Sequence, residues 1–409
     1  MKKERFDRNV ILTGVTSFFT DVSSEMIYPL LQAFVSSVLS SSQVLLGPVL
    51  GIIEGVAESA ASLLKVITGY YSDRRGRRKT PTIAGYTVSA LSKAMLLLAG
   101  VGWYFVLIAR FTDRVGKGIR TAPRDALISE SVDPSRRGFA FGIQRAMDFA
   151  GATLGVVILY FVSLRYLDPV AKTITDFSVF HKIFIISLVP AALGVVTLFF
   201  LRETGGRQQG TEPVKERPKP NLSLKSYDRS LKLFFLVQFI FTLGNSSNQF
   251  LLLRSMNLGN ALSTVVLMYL VYNLTTAAAA ALFGSLSDRI GRKWLMVTGY
   301  LLYALVYGAF GFLPQRMAGW MWLLWVLYGI YSALTDGCEK AFVADLAPKA
   351  SKATALGFYH TAVGITLLPA SVIAGLLFTV HPGAPFLFGA VVSCIAALLL
   401  ARVKERHAA

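Results

Sequence analysis

Charge is what this sequence has least of. Only 16% of its 409 residues are Asp, Glu, Lys or Arg, against 54% hydrophobic and 12% aromatic. Soluble domains carry about 25% charged residues. So few charges cannot clothe a water-facing surface, which excludes an ordinary soluble globular protein and points to lipid as a second solvent. Cysteine is limited to Cys338 and Cys394, in apolar stretches without CxxC or Cys/His spacing, so no disulfide framework or zinc site is indicated. The four histidines, His181, His360, His381 and His407, are scattered without ligand spacing. A polytopic enzyme would need a metal cluster or an activated nucleophile at one membrane face, and neither pattern is present. GxxxxGK[ST] is absent, which removes ATP-driven pumping. No metal and no cofactor are therefore expected beyond a proton as coupling ion.

What the chain has instead is long apolar segments. They fall near residues 9–38, 44–72, 80–100, 102–121, 137–164, 181–201, 231–255, 261–286, 293–313, 318–342, 353–380 and 383–402, each long enough to span about 30 Å of hydrocarbon. The pattern predicts an all-α polytopic membrane protein with 12 transmembrane helices. The basic start MKKERFDR resembles a signal peptide, but the following stretch carries Asp21 and Glu25 and no small-residue cleavage site, so it is expected to stay as the first helix. The net charge of +18 comes in short clusters between apolar segments rather than as a face or tail, which argues for membrane topology and against nucleic acid. Most of the 41 Lys and Arg fall on one side if both termini share it, so the positive-inside bias places both ends in the cytoplasm. Gly100–Gly102 leaves room for only a tight turn between the third and fourth spans.

The long polar loop ETGGRQQGTEPVKERPKPNLSLKSYDR divides the chain into halves: 1–202, a 203–230 cytoplasmic linker, and 231–409. A repeat supports that division. Gly69, Asp73, Arg74, Gly76 and Arg77 match Gly284, Asp288, Arg289, Gly291 and Arg292 at a constant offset of 215, which also carries Glu130 to Asp345. FTDVSSEMIYPLL and FTLGNSSNQFLLL are alike at a slightly different offset. Two similar six-helix halves in parallel are a known transporter plan.

The stretches GYYSDRRGRRKT at 69–80 and GSLSDRIGRK at 284–293 resemble the signature loop of the major facilitator superfamily, and the whole layout agrees with it. RFTDRVGKGIRTAPRDAL at 110–127 resembles a prokaryotic branch related to drug exporters. The resemblance implies two pseudo-symmetric six-helix bundles and a conformational latch made by Gly69, Asp73, Arg74, Gly76, Arg77 and Arg78 with an acid, and by Gly284, Asp288, Arg289, Gly291 and Arg292 in the second copy. Arg77 and Arg78 can reach a neighbouring carboxylate, and Asp113 is the expected one. Gly69 allows close helix approach and Gly76 a tight turn. The drug–proton antiporter pattern GxxxGP is met by Gly151 and Gly155 but not by the proline.

Ionisable residues inside spans are costly and functional by default. Asp21 and Glu25 share a face of the first helix, and Glu54, Glu58 and Lys65 form a stripe on the second. Arg110, Arg114 and Lys117 line the fourth beside Asp113, and Arg145 and Asp148 lie one turn apart on the fifth, a binding or structural pair. Lys65 and Lys93 could neutralise neighbouring carboxylates. The second half is sparser: Asn245, Ser246, Ser247, Asn248 and Gln249, then Asn273, Asp336, Glu339, Lys340 and His360. Coupling is therefore expected in the first half and substrate shaping in the second. The candidates for substrate or proton are Asp21, Glu25, Glu54, Glu58, Arg110, Arg145, Asp148, Asn245, Asn248, Asn273, Asp336 and His360. Arg110 is expected to hold Glu25, Glu58 or an anionic substrate. Arg114, Lys117, Asp113 and Glu339 are expected near helix ends, where long side chains snorkel. Tyr28, Phe34, Tyr269 and Tyr272 could touch substrate but are more simply packing.

These features predict a secondary active transporter in the cytoplasmic (inner) membrane, monomeric, moving a small organic or charged solute by proton-coupled efflux. The alternative is proton-coupled uptake of an organic metabolite or metal chelate.

Overall fold

A computed structural model describes residues 7–39, 42–75, 77–133, 137–203, 227–347 and 352–404. Among them there are helices and turns and no strand. In hydrocarbon no water replaces a lost backbone hydrogen bond, so an apolar segment satisfies itself as a helix. The helices are α1 Arg8–Glu25, α2 Leu31–Leu39, α3 Leu46–Arg75, α4 Lys79–Met95, α5 Trp103–Glu130, α6 Arg137–Tyr166 and α7 Phe177–Leu198. They continue as α8 Arg229–Gly244, α9 Asn248–Asn257, α10 Leu262–Ile290, α11 Arg292–Phe312, α12 Met321–Leu346, α13 Lys352–Val380 and α14 Ala384–Ala401. Most of the 203–230 linker, residues 204–226, lies outside the described residues.

Ten segments of the described chain are long and apolar enough to cross a membrane. The other two expected spans are helical where they were expected but differ in character. The one at 102–121 is α5, which carries Arg110, Asp113, Arg114, Lys117 and Arg120 and so exceeds the charge load of a plain span. The one at 231–255 is not one helix but two, α8 and α9, parted at Asn245–Ser247. The first span is interrupted too. After Glu25 the chain passes through a 3-10 turn, Tyr28–Leu30, before α2. Pro29 has no amide to donate and ends the α-helical ladder there. The second break has a different cause: the Ser247 hydroxyl accepts from the Gln249 amide at 3.3 Å and starts a new helix. The two breaks fall in the two similar stretches, FTDVSSEMIYPLL and FTLGNSSNQFLLL.

By contacts the chain forms two compact units. One comprises residues 1–43, 56–211 and 261–267, the other 44–55, 212–260 and 268–409. In the first, α4 lies along α5 and α1 along α6 and α7. A Cβ on Gly151 would stand 2.3 Å from the Phe18 carbonyl oxygen, and one on Gly155 2.6 Å from that of Val22, so these glycines let α6 reach the α1 backbone. Phe34 is fully buried against Phe180 and Phe184, with ring centroids 5.1 Å away in both cases, and so belongs to the core. In the second unit, α11 packs on α12 and α14, and α8 on α13 and α14. The expected tight turn between the third and fourth spans is a 3-10 segment, Leu96–Val101, followed by Gly102.

Candidate functional site

In the first unit, α4 and α5 are close enough that charged side chains from both meet inside the bundle. Asp113 lies at the centre. The Ser89 hydroxyl donates to its carboxylate. The Lys93 ammonium lies 4.0 Å from one oxygen, and the Arg110 guanidinium 3.9 Å from the other. The Arg110 guanidinium carbon also lies 5.1 Å from the centroid of the Tyr28 ring, within cation–π range. Tyr28, Lys93, Arg110 and Asp113 line a small cavity, with Ser24, Ile27, Ser92, Leu96 and Ala109 completing its wall. Two cations face one carboxylate there, so the cavity presents net positive charge with an aromatic face.

One helical turn along α5, the Arg114 Nε lies 2.9 Å from the Glu58 carboxylate on α3. Asp21, on α1, is half-buried and makes no hydrogen bond or ion pair among the described residues. Asp148 and Glu25 face it with like charge, and Lys117 and Arg120 with opposite charge. Asp148 accepts from the Gln144 amide at 3.0 Å, and Gln144 and Arg124 both donate to the Ser17 hydroxyl. Ser17, Gln144 and Arg124 were not singled out in the sequence; Ser and Gln on a span carry no charge to attract notice.

Several expectations are corrected by this geometry. Of the partners expected for Arg110, Glu58 belongs instead to Arg114, and Arg110 meets Asp113 and Tyr28. Asp113 and Arg114 are enclosed within the bundle and do not snorkel to an end. Arg145 lies over the Phe149 ring at 4.7 Å, and Asp148 takes its hydrogen bond from Gln144, so the expected Arg145–Asp148 pair is replaced by two separate contacts.

The second unit is built on hydroxyls. Where α8 ends, Asn245 donates to the Tyr331 hydroxyl at 3.2 Å, and Asn248 accepts from that of Tyr328 at 2.8 Å. Ser247 donates to Glu54 at 3.0 Å. The rings continue: Tyr303 stacks on Tyr307 at 3.9 Å, Tyr331 lies 4.8 Å from Tyr303, and Tyr272 lies 5.2 Å from Tyr328. Tyr269 packs edge-on to Trp325. Deeper along α12, Glu339 accepts from Tyr300 at 3.0 Å and from Tyr359 at 2.7 Å. It too is held inside the bundle and does not snorkel. Asp336 accepts from Ser332 at 3.0 Å, and the His360 ring lies 5.1 Å from that of Tyr359. The Asn273 amide nitrogen is buried and makes no hydrogen bond among the described residues. The tyrosines of α11 and α12 went unremarked in the sequence. Their signal was there as helical spacing, with Tyr300, Tyr303 and Tyr307 on one face of α11 and Tyr328 and Tyr331 on one face of α12.

Each signature loop ends in an ion pair to the repeat-equivalent acid, from arginines that differ by one position in the repeat. Arg78 binds Glu130 at 3.0 Å, and in the repeat Arg292 binds Asp345. Asp113 was the expected partner of the first loop, but it is occupied by Lys93 and Arg110, and Arg77 is exposed. Glu203 accepts from the backbone amides of Arg78 and Lys79 at 2.9 and 3.1 Å, capping the start of α4 with negative charge. Gly69 approaches Ala122 of α5, and Gly291 takes φ +97°, the conformation for which a turn needs glycine. Gly76 and the side chains of Asp73, Arg74, Asp288 and Arg289 lie outside the described residues; Gly284 falls within α10.

The family profile described as Major Facilitator Superfamily matches residues 13–254 and 234–409, which together span both signature loops. The chain belongs to the major facilitator superfamily. The uncharacterized MFS-type transporter MJ1317 of Methanocaldococcus jannaschii is 38% identical over 96% of this chain and 94% of its own. The multidrug resistance protein MdtG of Citrobacter koseri is 24% identical over 81% of this chain and 77% of its own. Among solved structures, a D-xylose–proton symporter superposes with a TM-score of 0.76 at 15% identity, covering 97% of both chains. The nucleoside transporter NupG superposes with a TM-score of 0.74 at 14% identity, over 97% of this chain and 98% of its own. At such identities these structures show the fold alone: the twelve-helix superfamily fold in two six-helix halves. Membership makes the chain a multi-pass membrane protein of a transporter family, whose members bind small molecules within the bilayer.

Proposed function

We propose that this superfamily member is a proton-coupled exporter of small organic or charged compounds, working as a monomer in the cytoplasmic membrane with both termini inside. The observation that carries the coupling is Asp21. It lies within a membrane span, has no cation in contact among the described residues, and is faced by Asp148 and Glu25. Carboxylates crowded in a site of low dielectric share protons rather than ionise together, and can exchange one as their surroundings change. The Arg110–Tyr28–Asp113 cavity supplies a charged and aromatic wall for an amphipathic solute. Likeness to a protein named for multidrug resistance supports the outward direction.

Transport in everted and right-side-out vesicles tests this reading, with ethidium as the probe. Export requires uptake into everted vesicles when their interior is acidified, loss of that uptake in Asp21→Asn, and retained ethidium exchange without a gradient. Uptake in right-side-out vesicles only would reverse the direction. Full gradient-driven uptake in Asp21→Asn would remove Asp21 from coupling.

A further inference from the structure

Three carboxylates of the first unit are answered by cations: Glu58 by Arg114, Asp113 by Lys93 and Arg110, Glu130 by Arg78. Glu339 is different. Its two oxygens accept from Tyr300 and Tyr359, and no Lys or Arg is paired with it among the described residues. Both phenols are themselves buried, as is Gln238, whose amide donates to the Tyr300 hydroxyl at 2.7 Å. Four helices, α8, α11, α12 and α13, thus meet at one carboxylate through neutral donors. Among the described residues, the other groups around it do not supply a cation. Asp336 and Tyr331 belong to its own helix, and His360 follows Tyr359 on α13. Lys340 is exposed. Arg316 lies in the segment that meets the start of α12, roughly 27 Å of helix away at 1.5 Å per residue.

A carboxylate in an ion pair has its charge compensated, and protonating it would strand the cation. One held only by neutral donors bears its own desolvation cost when ionised and sheds that cost by taking a proton. Neutral donors also suit both forms: the carboxylate accepts from two phenols, and the acid can donate to one phenol oxygen while still accepting from the other. The Gln238 amide fixes the direction of the chain, since it occupies the Tyr300 oxygen and leaves that hydroxyl's proton to point at Glu339.

Resting on the proton-coupled transport proposed above, we infer that Glu339, with Tyr300, Tyr359 and Gln238, is a second proton-exchange site, located in the second six-helix unit. It takes one proton from water and returns one to water, and no other bond changes. Coupling is then not confined to Asp21 and its neighbours, and the second half does more than shape the substrate.

Infrared difference spectra recorded through a pH titration of the whole protein in liposomes test this without any substrate. The carboxylic-acid C=O band reports protonated carboxyl groups. One titrating component should be lost in Glu339→Gln and kept in Glu58→Gln. In Tyr359→Phe the same component should persist, with its midpoint moved to higher pH by on the order of one unit, because the carboxylate has lost a hydrogen bond that favours its charged form. An undiminished band in Glu339→Gln overturns the inference. Should that variant not insert, the Tyr359→Phe midpoint decides alone: displaced supports the site, unmoved refutes it. Neither outcome depends on the vesicle assay, so either reading can fall while the other stands.

Discussion

Arg114, not Arg110, is the partner of Glu58: the Arg114 Nε lies 2.9 Å from the carboxylate, while Arg110 turns toward Asp113. The two arginines are four residues apart on α5 and therefore on one face, yet they answer different acids on different helices. α5 thus carries two separable electrostatic contacts, and each can be tested apart from the other.

Removing the Arg114 charge should expose this separation. Arg114→Gln leaves Glu58 enclosed without its cation and should cost about 1–3 kcal/mol of stability, measured as a fall in the thermal unfolding midpoint in detergent. Adding Glu58→Gln should return most of that loss, because the stranded charge is gone, whereas adding Asp113→Asn should return none. Equal rescue by both would mean that the two contacts form a single network.

The two loop contacts, Arg78–Glu130 and Arg292–Asp345, give a second prediction. They join the start of α4 to the end of α5, and the start of α11 to the end of α12; the two acids are equivalent in the repeat, while the two arginines differ by one position. The Arg292–Asp345 pair is open to solvent and worth about 1 kcal/mol or less, whereas Arg78 is buried and its pair with Glu130 is the better shielded of the two. Glu130→Arg should therefore leave insertion intact while raising maleimide labelling of a cysteine placed at Arg77, and the swap Arg78→Glu with Glu130→Arg should restore protection. Labelling that never changes would reduce the pair to a topology signal.

How much of this was legible depends on what kind of information each feature needs. Spans and the repeat are written locally, in runs of apolar residues and in the glycine and arginine spacing of residues 69–78 and 284–292. Helix breaks are only half written: Pro29 announces one, but the break at Asn245–Ser247 rests on a serine cap that looks like any polar residue in a span. Partner choice is not written locally at all. Arg78 finds Glu130 across 52 positions, and the nearer Asp113 is taken by Lys93 from another helix. Spacing along one helix says which side chains share a face, but not which acid the packing brings to that face. The same limit hid the Glu339 knot, whose partners come from α8, α11 and α13.

Arg110 gives the last prediction. Its side chain is 9% exposed, its guanidinium lies 3.9 Å from Asp113, and the Tyr28 ring stands 5.1 Å away beside the 3-10 turn that interrupts the first span. A guanidinium this deep stays charged, so it must be compensated by a carboxylate, a ring face or an anionic group of the solute. Lysine keeps the charge but not the planar stacking surface. Arg110→Lys should therefore insert normally and lower ethidium transport by about tenfold, the equivalent of a lost cation–π and fork contact of 1–2 kcal/mol. Alanine removes both contacts. Lys93 and Ser89 still hold Asp113 in Arg110→Ala, so stability should fall only by about 1–2 kcal/mol while transport is lost. Adding Asp113→Asn to Arg110→Ala should lower stability further, because the buried Lys93 ammonium then loses its carboxylate, and should not recover transport. Wild-type transport by Arg110→Ala across the pH range would show that the arginine serves packing alone and that the solute is held elsewhere.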